Sequence, residues 1–184
     1  MVAIAEKVYV YDFSSFSLIA SHETVPNQGI VALTPAPHAP VYVAALDKTP
    51  GHVWLGAFLE ENTLAENRVI EAHNSSVAAI ALNQESSLLA TCSEKGTILR
   101  VFKVADGLKL KELRRGSEYA EIRSLAFALD SAQLACSSAK GTVHVFALPA
   151  GEGSATPLLN SSSAGASIEE EKKSAHEGQS EHKA

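Results

Sequence analysis

The chain is poor in sulfur and in aromatic residues. Its 184 residues include 2 cysteines, 1 methionine and 1 tryptophan, and aromatics make up 6%. Two cysteines do not build a disulfide framework, so a reducing cytosol is the default setting. No run is long and apolar enough for a bilayer-crossing helix. Met1-Val-Ala-Ile-Ala5, followed at once by Glu6-Lys7, is too short for a signal peptide. A surplus of positive charge is absent as well: the net charge of −6 argues against a general nucleic-acid binder. Gly-rich phosphate loops, paired metal ligands and nucleophile motifs are missing. Glu169, Glu170 and Glu171 lie in a polar tail, and His176 and His182 have no Cys or Asp at ligand spacing. These absences point away from an enzyme, so no catalytic residue, metal ligand or cofactor is expected.

An internal repeat is what the chain does have. Val77-Ala-Ala-Ile80 answers Ile122-Arg-Ser-Leu125, and Leu89-Ala-Thr-Cys-Ser93 answers Leu134-Ala-Cys-Ser-Ser138. Lys95-Gly-Thr97 answers Lys140-Gly-Thr142, and Arg100-Val-Phe102 answers His144-Val-Phe146. The offset is 45 residues up to the Gly-Thr pair and 44 after it. Each copy alternates short β-rich runs with polar or Lys-Gly turns. A period of roughly 40–45 residues with several short strands is the pattern of a β-propeller blade. Two weaker copies lie upstream, one in Ala5–Asp12 and one in Ile30–Phe58.

Charge is unevenly spread. Between Lys95 and Lys140 there are nine basic residues against five acids, a basic segment inside an acidic chain. Within it stands Leu113-Arg114-Arg115-Gly116, between the two strong copies. Adjacent side chains at a strand end point to opposite sides, so each arginine is placed to serve a different flanking repeat. The guanidinium is a fixed fork of donors suited to phosphate. The layout predicts two anion sites.

On these motifs the chain resembles the PROPPINs, the WD-repeat phosphoinositide-binding β-propellers that include the WIPI proteins. Their hallmark, Phe or Leu followed by Arg-Arg-Gly, corresponds to Leu113–Gly116. It is set between Ser93-Glu-Lys-Gly-Thr97 and Lys140-Gly-Thr-Val-His-Val-Phe146. The strong resemblance covers about Ile70–Leu148, while Met1–Leu64 fits more loosely, with Tyr11-Asp12 where WD repeats carry Trp-Asp. The resemblance implies an all-β fold: a partial β-propeller of about three and a half blades, where the family's ring has seven. It implies a propeller unit over 1–148; the composition of 149–184, dominated by Ser, Gly, Ala, Glu and Lys, reads as a polar tail that is disordered, or marginally helical around Ser167–Ala175. In the family, the connection leaving the third strand of the sixth blade inserts into membrane. Here only Leu158, Leu159 and Ile168 have that character.

The resemblance also distributes the site residues. One pocket takes Arg114 with Ser93, Thr97 and Arg100, and His73 nearby; the other takes Arg115 with Ser138, Thr142 and His144. Plainer roles stand beside these. Ser93 and Ser138 precede tight turns, Thr97 and Thr142 suit a strand start, and His73 suits a hydrogen bond within its own blade. His144, alternating with Val143 and Val145, reads as a surface histidine. Cys92 and Cys136 read as buried small residues in separate blades. The implied ligands are phosphatidylinositol 3-phosphate and 3,5-bisphosphate. The implied setting is cytoplasmic: autophagosome-precursor, endosomal or vacuolar membranes, in company with autophagy proteins. The competing reading is a WD-repeat interaction scaffold whose arginines merely pair with acids. A half-ring would expose apolar faces and unpaired strands, so three states stay open: a fragment of a longer chain, a degenerate non-functional product, or a ring completed by a second chain.

Overall fold

The computed structural model describes residues 1–34, 40–59 and 63–149, together with the backbone of residues 167–168. Among the described residues, fifteen strands form four antiparallel sheets. The first sheet has three strands, β1 (Val2–Ile4), β2 (Lys7–Tyr11) and β3 (Leu18–Glu23). The second holds β4 (Val31–Leu33), β5 (Val41–Leu46), β6 (His52–Phe58) and β7 (Leu64–Glu71). The third holds β8 (Val77–Leu82), β9 (Leu88–Ser93), β10 (Ile98–Lys103) and β11 (Lys109–Arg114). The fourth holds β12 (Ile122–Phe127), β13 (Gln133–Ser138), β14 (Val143–Ala147) and β15 (Ser167–Ile168).

Every sheet is a simple meander, so chain neighbours are also ladder neighbours. This is the propeller pattern expected from the repeat, with two differences of content. The first sheet has three strands, and the fourth acquires an outer strand, because Val143 pairs with Ile168 and His144 with Ser167. The short piece of tail that is described is therefore extended rather than helical. The rest of the tail, including Leu158 and Leu159, lies outside the described residues.

Three apolar junctions stack the four sheets face to face. Val8 and Val10 of the first sheet meet Val43, Ala45, Trp54 and Phe58 of the second. Ala44, Leu46, Val53, Leu55 and Ile70 then meet Val77, Leu89 and Phe102 of the third. Ala90, Leu99, Val101 and Leu113 meet Ile122, Leu134 and Cys136 of the fourth. Both faces of an inner sheet are thus buried, which explains continuous apolar runs such as Val53-Trp-Leu-Gly-Ala-Phe58. Leu89 and Leu134, at equivalent repeat positions, are fully buried, each contributing about 1.5–3 kcal/mol of transfer free energy. Cys92 and Cys136 are both buried. They belong to different sheets but share the last junction, entering it from opposite sides.

Polar joints near the first turns reinforce the stacking of the second sheet on the third and of the third on the fourth. Thr34 follows the innermost strand β4, and Ser86 Oγ of the next sheet donates to its Oγ1 at 2.9 Å. Asn83 holds the equivalent place after β8, and its Nδ2 donates to Ser131 Oγ of the fourth sheet at 2.9 Å. Ser86 and Ser131 both have left-handed φ, +57° and +58°, an uncommon setting for a residue with a side chain. The turn places the hydroxyl against the preceding sheet.

Candidate anion-binding site

The site grows from the end of β11. Leu113 is buried in the last junction, so alternation turns Glu112 and Arg114 to the other face of the sheet. Arg100 lies on that face, cross-strand from both Glu112 and Thr91. Its Nε donates to Glu112 Oε2 at 2.9 Å and its Nη1 to the Ala72 carbonyl at 2.7 Å. Behind it His73 is buried, with Nε2 2.9 Å from Thr91 Oγ1. Burial, aided by the Arg100 charge, pushes the His73 pKa down to about 4, so the imidazole is neutral near pH 7.

Arg115 leaves the strand and crosses to the other side. Its amide donates to the Thr97 carbonyl at 2.9 Å. Its guanidinium donates through Nε to the Gly96 carbonyl and through Nη2 to the Glu118 carbonyl, the latter at 2.5 Å. Burial first, and then the charge of Arg115, lowers the pKa of His144. The two adjacent arginines therefore do part to opposite faces of β11. By register Arg114, exposed, shares the sheet face of Arg100, whereas Arg115 lies on the side of His144.

Two turns hold the floor of this region. Gly96 has φ +66°, and a Cβ there would stand 1.8 Å from the Ala120 carbonyl oxygen, so only glycine fits. Gly141, its repeat partner, has φ +74° and open space around it. Ser138 Oγ lies 3.1 Å from Thr142 Oγ1. The hydroxyls of Ser93 and Thr97 make no side-chain hydrogen bond among the described residues.

Ion pairing sorts the basic segment. Arg100 and Lys109 share Glu112, at 2.9 and 3.6 Å. Lys103 pairs with Asp106 at 3.8 Å, Arg123 with Glu121 at 2.9 Å and Lys140 with Glu118 at 2.6 Å. Lys95, Lys111, Arg114 and Arg115 are left without a carboxylate among the described residues. Arg115 binds Glu118 only through its backbone carbonyl, the carboxylate of that residue being occupied by Lys140.

One expectation is corrected. His144 does not face away from the apolar side: it shares a face with Cys136 and Phe146, turned to the third sheet, while Val143 and Val145 are exposed. Alternation misled because both faces of a propeller sheet are junction faces, so the valines do not mark the inside. Sequence reasoning also passed over Thr91 and Glu112. Thr91 is fully buried yet carries the partner of His73, and Glu112 neutralises Arg100. The Glu-Leu-Arg-Arg order, with an acid two residues before the first arginine, was the one available signal for Glu112.

Four meandering antiparallel sheets, stacked through apolar faces at a period near 45 residues, define a β-propeller of the WD-repeat kind. The model of one propeller family, PROPPIN, matches residues 1–165, and the chain belongs to that family. Autophagy-related protein 18 of Yarrowia lipolytica is 38% identical over 176 residues, covering 85% of this chain and 44% of its own length. That of Mycosarcoma maydis is 36% identical over 185 residues, covering 91% and 41%. Among solved structures, Kluyveromyces lactis Hsv2 with a complete loop 6CD superposes with a TM-score of 0.68 at 22% identity, covering 86% of this chain and 50% of that one. KlAtg21, in complex with the coiled coil of AgAtg16, gives 0.62 at 29% identity, covering 80% and 49%. The chain spans less than half the length of the curated relatives it matches.

Proposed function

We propose that this chain is a phosphoinositide-binding module that docks on membranes carrying phosphatidylinositol 3-phosphate or 3,5-bisphosphate. It acts there in autophagy and in endosomal or vacuolar traffic, from the cytoplasmic side. The observation that carries this reading is the pair of adjacent guanidiniums, Arg114 and Arg115, which have no carboxylate partner among the described residues in a segment where five other cations have one. A phosphorylated inositol presents the acceptors that such forks bind best. Arg114, with the hydroxyls of Ser93 and Thr97, forms one donor set, beside Arg100 and His73. Arg115, with Ser138, Thr142 and His144, forms the other. Two weak sites on one edge gain from avidity when both reach the same bilayer.

The scaffold reading requires the arginine pair to be neutralised by acids. Guanidiniums without a carboxylate partner among the described residues favour the lipid reading instead. The names of the relatives support autophagy proteins as partners, and the coiled-coil complex of KlAtg21 indicates the kind of protein such a propeller engages.

Liposome co-sedimentation with and without phosphatidylinositol 3-phosphate tests the reading, beside an Arg114→Thr/Arg115→Thr variant. Each basic residue near an anionic surface contributes about 1 kcal/mol, so the double substitution is expected to weaken binding about 30-fold. Binding that ignores the lipid, or that survives the double substitution, overturns the proposal in favour of a scaffold.

A further inference from the structure

The connection from β11 to β12 carries a motif that overlaps the arginine pair and extends past it. Arg114-Arg115-Gly116-Ser117 sets a serine three residues after one arginine and two after the other, in the chain's only pair of adjacent arginines. Protein kinases of the arginine-directed class choose their serine by that spacing, because carboxylates in the peptide groove grip the guanidinium forks upstream of it. The side chains that suit a phosphate thus also suit an enzyme that attaches one.

The fold presents this serine for reaction. Ser117, Glu118 and Tyr119 are exposed, and the Ser117 hydroxyl makes no hydrogen bond among the described residues. The amides of these residues donate to no carbonyl among the described residues, whereas Arg115 and Gly116 before them and Ala120 after them are tied to the Thr97 and Lys95 carbonyls. Beside them Gly116 is open: an added Cβ would meet nothing within 4 Å. The bend can therefore enter an extended groove without dismantling a strand. Side chains hold it instead. The Nη2 of Arg115 donates to the Glu118 carbonyl at 2.5 Å, which folds the cation over the bend, against the residue that follows Ser117. The two acids of the connection are engaged elsewhere, Glu118 by Lys140 and Glu121 by Arg123.

We propose that Ser117 is a phosphorylation site of an arginine-directed kinase, and that its phosphate is held by the Arg114 and Arg115 guanidiniums, which closes the anion site. Ser117 Oγ attacks the γ-phosphorus of ATP. The Oγ–P bond forms, the bond from phosphorus to the β–γ bridging oxygen breaks, ADP leaves, and the hydroxyl proton passes to the kinase. The new group brings a charge of about −1.5 to −2 and strong acceptor oxygens to the bend. Arg115 then exchanges a carbonyl for a charged acceptor, the stronger partner. Being tethered next to the forks, the phosphate competes with any ligand from solution at a high effective concentration. The closure toward lipid rests on the function proposed above; the attachment of the phosphate and its capture by the arginines do not.

The test starts with the purified 184-residue chain, Mg-ATP and either the cAMP-dependent protein kinase or calcium/calmodulin-dependent kinase II, both arginine-directed. Mass spectrometry should find a phosphate on Ser117, and none there in Ser117→Ala. Phosphorus NMR then reads capture without any lipid. The phosphoserine pKa should fall from about 6 to about 5 in the native chain and return to about 6 in urea. Co-sedimentation with vesicles carrying phosphatidylinositol 3-phosphate should weaken about 30-fold on phosphorylation, while Ser117→Ala binds like the wild type before and after kinase treatment. No phosphate on Ser117 from either kinase, a native titration that matches the one in urea, or a phosphorylated chain that binds vesicles as tightly as the unmodified one overturns the proposal. If the unmodified chain ignores the vesicles, the lipid reading falls by itself, and the native titration decides the proposal.

Discussion

Replacing Gly96 by alanine tests the architecture of the site against an internal control. Gly96 and Gly141 occupy the same Lys-Gly-Thr turn in consecutive repeats, with φ of +66° and +74°. Alanine in that conformation costs about 1 kcal/mol at either position. The surroundings differ. At Gly141 the added methyl meets nothing within 4 Å, whereas at Gly96 it lies 1.8 Å from the Ala120 carbonyl oxygen. The turn or the Ala120 segment must move, and two attachments go with it: the Arg115 guanidinium on the Gly96 carbonyl, and the Ala120 amide on the Lys95 carbonyl at 3.3 Å. At about 1 kcal/mol for each hydrogen bond, Gly96→Ala is expected to destabilise by about 3 kcal/mol and Gly141→Ala by about 1 kcal/mol. Urea unfolding followed by circular dichroism reads the difference. With a slope of about 2 kcal/mol per molar, the two midpoints should lie about 1 M apart. Equal midpoints would refute the claim that the Gly96–Ala120 approach fastens the arginine connection.

Two further outcomes follow from buried groups. His73 stays neutral in the folded chain, with its pKa pushed down to about 4. The unfolded chain takes up that proton below about pH 6.5, so stability is complete above that value and falls as pH drops toward 4. The loss is on the order of 3 kcal/mol. His73→Gln should flatten that decline in pH-dependent urea midpoints, leaving the smaller contributions of His22 and His144, whose pKa values are also lowered. An unchanged decline would place His73 in solvent. Burial pushes the Cys92 thiol up to about 12 and raises Cys136 as well. Neither should react with a disulfide reagent in the native protein at pH 8, and both should react in denaturant. Rapid native labelling would contradict the closed last junction.

The strong repeat made the third and fourth sheets legible almost residue by residue, because turns, strands and core positions recur together. The parting of Arg114 and Arg115 to opposite faces was legible too, since alternation fixes it once Leu113 is taken as buried. What alternation does not fix is which face is inward when both are junctions, and His144 was misassigned for that reason. The hold of Glu112 on Arg100 and the placing of Thr91 beneath His73 depend on contacts across sheets, for which strand periodicity carries no signal. The pairing of Ser167–Ile168 with β14 spans a long connection of polar composition, and nothing local in those two residues marks them as a strand.

The joints between Thr34 and Ser86 and between Asn83 and Ser131 join one slot to the same kind of slot. The residue just after an innermost strand meets the left-handed serine of the following blade. Each blade that carries both halves is a unit with a socket on one side and a plug on the other. Duplicating such a segment in a gene copies socket and plug together, so a new blade arrives already fitted to both neighbours. In the last sheet the socket position is Ala128, which offers no side-chain oxygen or nitrogen. Among the described residues the series of plugs and sockets stops at that alanine.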